Sequence, residues 1–400
     1  MNGKPEWEKG ATMGIGKGTC APLFVRRLQY CGLAGALLAV AGILSHVSAE
    51  PAKKKTLGLA ITAWRTALYE TPDGKEECPD GLTLGGDQVW LSLLTPEQRD
   101  KVTKHGTVET TQLRDFALER GPHGEDVCWN PGVVKDPPQK TVQGKKSYGL
   151  NLDGTDDGHA TPKTCGHEKF VTPDGGRGID NQWYRVIGCT YGWRAAGGYT
   201  EEMPNGELRD GGHPILVEIT GIDDLRNSKT VDIAFYHSTD GMIKDNAGNI
   251  LPNSSYRVAK DYLYTTHGSI VDGVLTTVPI DIHFPFYAHF MHSERFIKDA
   301  RLRLDIAADG KSAAGLVAGY YDLDSFWSYM ERIGELFTVA HFDCPALYEA
   351  VHRLADGYPD PKTGQCTAIS ADFAVTAVSG YVIHPDAKTA QAATSADPVR

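Results

Sequence analysis

Residues 151–182, NLDGTDDGHATPKTCGHEKFVTPDGGRGIDNQ, crowd carboxylates, carboxamides, glycines and two histidines into a stretch with almost no apolar pattern. Hard oxygen donors on turns that glycine permits are what a calcium ion takes, about six to eight of them. Asn151, Asp153, Asp156 and Asp157 supply one such group, and Asp174, Asp180 and Asn181 a second. The first begins like an EF-hand loop, but Asp156 stands where glycine belongs and no glutamate closes the loop, so it is not one. A calcium site of another kind in either group is the expectation, set against ordinary solvated turn residues. His159 and His167 suit a softer metal, but Cys165 between them reads as a disulfide partner.

A second constellation is DIHFPFYAHFMHSERF, where His283, His289 and His292 fall close together. Imidazole is the commonest ligand of zinc, copper and iron, and a helix begun by Pro285 would put His289 and His292 on one face. The segment carries neither HExxH nor a paired-cysteine signature. Phe284, Phe286, Tyr287 and Phe290 make it bulky, and the expectation is that the three rings point apart. Convergence would instead mean a metal-dependent enzyme.

Other chemistries find less support. No GxSxG elbow marks a serine nucleophile. Glycoside hydrolysis needs two facing carboxylates, which sequence cannot display, and Glu201, Glu202, Asp223 and Asp224 read as turn charges. Trp183, Tyr184, Tyr191 and Trp193 gather beside the Gly/Asp-rich stretch; exposed, they would form a platform for a glycan or a protein ligand, and otherwise they pack under a disulfide.

The elements that must hold these residues begin after a leader. Arg26 and Arg27 precede the apolar run Cys31–Ser45, and Val47 and Ala49 satisfy the small-residue rule for cleavage. Residues 1–49 therefore read as a signal peptide, too short in its apolar part to stay as a membrane span. GIGKGT within it lacks the Walker spacing. The chain has a net charge of −11, and the leader's share of that is positive, so the remainder is more acidic still. Nucleic-acid phosphates and anionic membranes are poor partners for such a surface. Beyond the leader stand Cys78, Cys128, Cys165, Cys189, Cys344 and Cys366, an even number as expected of a periplasmic or secreted protein. Sequential proximity pairs them 78–128, 165–189 and 344–366.

Residues 50–210 are mixed in texture. LTPEQRDKVTK signals a helix, with Thr95 and Gln98 as a capping box and Pro96 at the first turn. Residues 211–384 are β-rich with helical insertions. Ile215, Val217 and Ile219 alternate, as do Val231, Ile233 and Phe235, and Leu302, Leu304 and Ile306 lead into an Asp309-Gly310 turn. Helices are expected from Leu323 and from about Asp343, then a strand with Phe373, Val375 and Ala377 inward. Residues 385–400 read as a disordered tail. The fold class is mainly β, an antiparallel sandwich or barrel with a few peripheral helices and a long disulfide-stapled loop region. The function that fits is an exported binding or surface-interaction module; the alternatives are a metal-dependent enzyme on His283, His289 and His292 and, more weakly, a carbohydrate-active hydrolase.

Overall fold

A strand that buries every second residue needs a partner on each edge, and a closed ring supplies both. The computed structural model describes residues 54–103, 109–288 and 291–385; the leader and the tail lie outside the described residues. Eleven strands form, numbered in chain order: β1 Lys55–Thr66, β2 Ile215–Ile222, β3 Ser228–His237, β4 Ser254–Arg257, β5 Tyr264–Val271, β6 Val274–Thr277, β7 Ile280–Ala288, β8 Met291–Ile306, β9 Ser312–Asp322, β10 Gly357–Pro359 and β11 Cys366–Ile383. Hydrogen bonding runs β1-β2-β3-β5-β6-β8-β9-β11, and β1 pairs with β11 to close an eight-stranded antiparallel barrel. Closure decides for the barrel over the sandwich. β7 continues past β6 along the first half of β8, extending one wall of the barrel at that end.

The alternating positions read in the sequence are the lining. Val217, Ile219, Val231, Ile233, Leu302, Leu304, Phe373 and Val375 are all buried in one core. The β8–β9 hairpin turns at Asp309-Gly310, where Gly310 adopts φ +69°. β1 comes from the mixed N-terminal region, so the barrel draws a stave from each side of residue 210. The run PFYA after His283 is strand, not the start of a helix: Pro285 pairs with Glu294 within β7–β8.

The helices are α1 Gly86–Leu93, α2 Pro96–Thr103, α3 Glu109–Leu118, α4 Gln182–Ile187, α5 Tyr199–Asp210, α6 Leu323–Met330, α7 Phe337–Ala340 and α8 Cys344–Leu354. The α2 capping box forms in both directions between Thr95 and Gln98. Asp322 and Asp343 cap α6 and α8. None of these helices is long and apolar enough to cross a membrane.

All six cysteines among the described residues are bonded, but as 78–189, 128–344 and 165–366. The sequential pairing is thus wrong in every couple. Neighbours in the chain are carried to different parts of the molecule; Cys78–Cys189 joins two loops, and the other two bridges each tie a loop to a distant element. Cys165–Cys366 fastens the Gly/Asp-rich loop to the first residue of β11, and Cys128–Cys344 fastens the segment after α3 to the first residue of α8.

Candidate functional site

At the end of the barrel where β7 extends the wall, Arg295 on β8 points inward, opposite Phe284. Four rings from four strands surround its guanidinium carbon: Phe286 at 4.1 Å, Phe373 at 4.9 Å, Tyr321 at 5.6 Å and Trp64 at 5.8 Å. Ring faces attract a cation but do not accept its hydrogen bonds as an oxygen would. Arg295 Nε and Trp64 Nε1 are buried with no hydrogen-bond partner among the described residues. The barrel mouth therefore presents two donors in want of an acceptor, and the guanidinium that carries one of them also interacts with the Tyr321 hydroxyl and the Glu201 carboxyl.

Helix α5 lies across this mouth, packed on β1 and β7. β1 leaves its ladder with β2 after Ala60, so the edge near Trp64 is open on that side. Asn205 of α5 fills it, its Oδ1 accepting from Trp64 N at 2.7 Å and its Nδ2 donating to Trp64 O at 3.0 Å. Nearby, Trp183 Nε1 donates to Thr66 Oγ1 at 3.2 Å, and that hydroxyl donates to Glu201 Oε1 at 2.7 Å. Burial beneath the helix raises the Glu201 carboxyl above the usual range, despite its bonds from Thr66.

The helix is a weak one by its own sequence. Pro204 and Gly206 within it cost about 3 and 1 kcal/mol relative to alanine, so contact with the barrel holds it in shape. Gly197-Gly198 and Gly211-Gly212 flank it, with Gly198 at φ +48° and Gly212 at φ +78°. Two adjoining cavities of about 40 and 30 Å³ lie between α5 and the barrel and share Trp64, Pro204, Phe286 and Arg295. Such spaces hold water-sized guests. A larger guest requires α5 to shift.

His213 continues the lining outward, its ring stacked on Tyr287 at 3.5 Å and on His237 at 5.7 Å. Burial lowers the pKa of both imidazoles. Of the histidines read in the sequence, His292 packs edge-on against Tyr287, and His283 bonds Glu294 at 2.8 Å. His283 pairs with Phe296 and His292 with Tyr287, four residues apart along the hairpin, about 13 Å at strand spacing. His289 lies outside the described residues.

The aromatic cluster is not an exposed platform. Trp183, Tyr184 and Trp193 are buried, and Tyr191 alone of the four is exposed. Trp183 packs edge-to-face on Phe326 at 4.7 Å, and with Trp193 it lines the inner cavity under α5. Four aromatics in one segment are the signal for this core; their direction is what the sequence withholds.

The Gly/Asp-rich loop packs on the outside of the barrel, over β9 and β11. Of its seven oxygen donors, Asp153 and Asp180 come together in a buried cluster, whereas Asp156, Asp157 and Asp174 face solvent. Asn151 braces its own turn, accepting from Gly154 N at 2.7 Å. Asn181 caps α4 through Tyr184 N and donates to Ser147 Oγ and Tyr148 O. In the cluster Lys169 bridges Asp153 and Asp180. His167 Nε2 stands 2.7 Å from Asp180 Oδ1 and 3.4 Å from Asp356 Oδ2. Asp372 accepts from Leu150 N at 2.9 Å.

Burial raises Asp356 to about 6 and Asp372 well above the usual carboxylate range. For His167, burial lowers the pKa, but the Asp180 bond and the Asp356 charge outweigh it and the net direction is up. Lys169, Asp356 and Asp372 escaped the sequence reading. The last two sit in ordinary-looking contexts, LADGY and SADFA, about two hundred residues away from the loop.

No family model, curated protein or solved structure matches this chain.

Proposed function

We propose that the protein is an exported, disulfide-stapled barrel that binds a small amphipathic anion in its mouth, with α5 as the lid. The observation that carries this reading is Arg295, a guanidinium boxed by four rings with its Nε unpartnered. A cation in an apolar mouth favours a guest with a carboxylate or sulfonate head and an apolar body. An eight-stranded barrel is of the size that holds one small ligand. The glycine pairs at both ends of α5, and the poor helix formers within it, supply the means of entry. Three disulfides are consistent with an oxidising compartment. Glu201 is the acid in the cavity lining, and among the described residues no second carboxylate lines it to form the pair that glycoside hydrolysis needs.

The test uses the quenching of Trp64, Trp183 and Trp193 fluorescence by two probes of similar size, anilinonaphthalene sulfonate and the uncharged phenylnaphthylamine. The sulfonate should saturate at one per chain. A charge-assisted hydrogen bond contributes about 1.5–3 kcal/mol, so Arg295→Gln should weaken the sulfonate about 10- to 100-fold. Arg295→Lys should restore part of that loss, and the uncharged probe should be indifferent to both changes. Equal sulfonate binding by Arg295→Gln, or no saturable binding by the unaltered protein, overturns the proposal.

A further inference from the structure

On the opposite side of the barrel wall from the mouth lining, the loop cluster poses a problem of charge. Four carboxylates, Asp153, Asp180, Asp356 and Asp372, are withdrawn from water beside two permanent cations. One of those cations, Arg301, spends its two terminal nitrogens on the carbonyls of Asn151 and Leu152. Lys169 alone contacts the acids, at Asp153 and Asp180. Three carboxylate oxygens (Oδ2 of Asp153, Asp356 and Asp372) and the Tyr320 hydroxyl are buried with no hydrogen-bond partner among the described residues. Each orphan of this kind costs about 1–3 kcal/mol, more when charged. The balance closes only with protons on His167, Asp356 and Asp372, or with a bound cation in their place.

The geometry of His167 says where it belongs. Its Nδ1 lies 3.1 Å from Cys165 O, an acceptor that requires the ring proton on Nδ1. In the neutral ring, Nε2 then turns a lone pair toward Asp180 Oδ1 and Asp356 Oδ2, which is repulsive unless a cation stands between them. His167 Nε2 and one oxygen each of Asp180 and Asp356 lie within 4.8 Å of one another. A backbone carbonyl fixing the tautomer of an imidazole whose other nitrogen faces carboxylates is the support that metal-bound histidines have. The Cys165–Cys366 bridge holds one end of this arrangement to β11.

We propose that His167, Asp180 and Asp356 form a binding site for a divalent transition-metal ion of the zinc class, which locks the Gly/Asp-rich loop onto the barrel. One imidazole with two carboxylates suits zinc better than calcium, whose ligands are oxygens throughout. The ion completes the charge balance and takes the place that a proton on Nε2 otherwise fills. Lys169 competes with it for Asp180.

The experiment measures metal content by mass spectrometry on folded full-length protein produced with zinc supplied, before and after prolonged chelation. One zinc per chain is expected, with chelation lowering the melting temperature and zinc restoring it. His167→Gln and Asp356→Asn should each reduce affinity at least about tenfold, the scale on which site residues act. Lys169→Met, which removes the competitor, should raise it. Should the two ligand variants fail to fold, Lys169→Met and the cobalt absorption spectrum of the unaltered protein decide the matter. An imidazole-carboxylate cobalt spectrum supports the site. Its absence, less than one zinc per chain, unchanged affinity in His167→Gln, or weaker binding in Lys169→Met overturns it.

Discussion

Arg120 sits between two buried acids, donating Nη1 to Asp136 Oδ1 at 2.8 Å and Nη2 to Asp343 Oδ1 at 3.0 Å. One guanidinium cannot neutralise two carboxylates, and burial together with the Asp136 charge pushes Asp343 up to about 7. In the unfolded chain the same carboxyl titrates near 3.8. Between these values the unfolded state has released the proton and the native state retains it. Unfolding is therefore favoured progressively as pH rises through this window. At about 1.4 kcal/mol per unit, roughly three units amount to at most about 4 kcal/mol of stability lost by pH 7. Asp343→Asn isolates this group: asparagine keeps the cap on Ala346 N and carries no charge. Unfolding free energies from urea titration should match the parent near pH 4, then pull ahead by up to about 1.4 kcal/mol per unit, and level off above pH 7. Subtracting the parent cancels the other raised carboxyls, Glu201, Asp356 and Asp372, which slope the same way. A difference that is flat with pH, or that favours the parent at neutral pH, would refute the argument and make Arg120–Asp343 a true ion pair.

Replacing Cys128 and Cys344 together by alanine opens a loop of 216 residues, which loop-closure entropy values at about 5 kcal/mol as a ceiling. Calorimetry should show a large fall in melting temperature, and a non-reduced peptide map of the parent should join 78–189, 128–344 and 165–366. Asn205→Ala strands Trp64 N and O, at about 2–6 kcal/mol for the pair. Amide exchange should quicken in α5 while β9 and β11 keep their protection; equal loss throughout the barrel would mean that α5 is part of the core rather than a lid.

Most of what the residues declare by local pattern survives, the helix start at Pro285 being the exception. Alternation along β2, β3, β8 and β11, the Asp309-Gly310 turn, the Thr95 cap and the helix that starts at Asp343 depend on neighbours a few positions apart. Such signals act before any distant contact forms, because a strand's period and a helix's first turn belong to the segment itself. Closure is different in kind. The choice of barrel over sandwich rests on β1 meeting β11 across more than three hundred residues, and no residue in either strand announces its partner. The disulfides follow the same logic, since six equivalent thiols are sorted by where the folded chain carries them. So do the sites. Nothing in the sequence joins Trp64, Phe286, Arg295, Tyr321 and Phe373 until the ring closes and turns them toward one mouth. Asp356 and Asp372 become neighbours of His167 only when the loop lies down on β11. Local chemistry determined which elements form and which side chains they offer; the long-range pairing of strands decided which of those side chains meet, because a shared centre is a property of distance in space, to which separation along the chain is no guide.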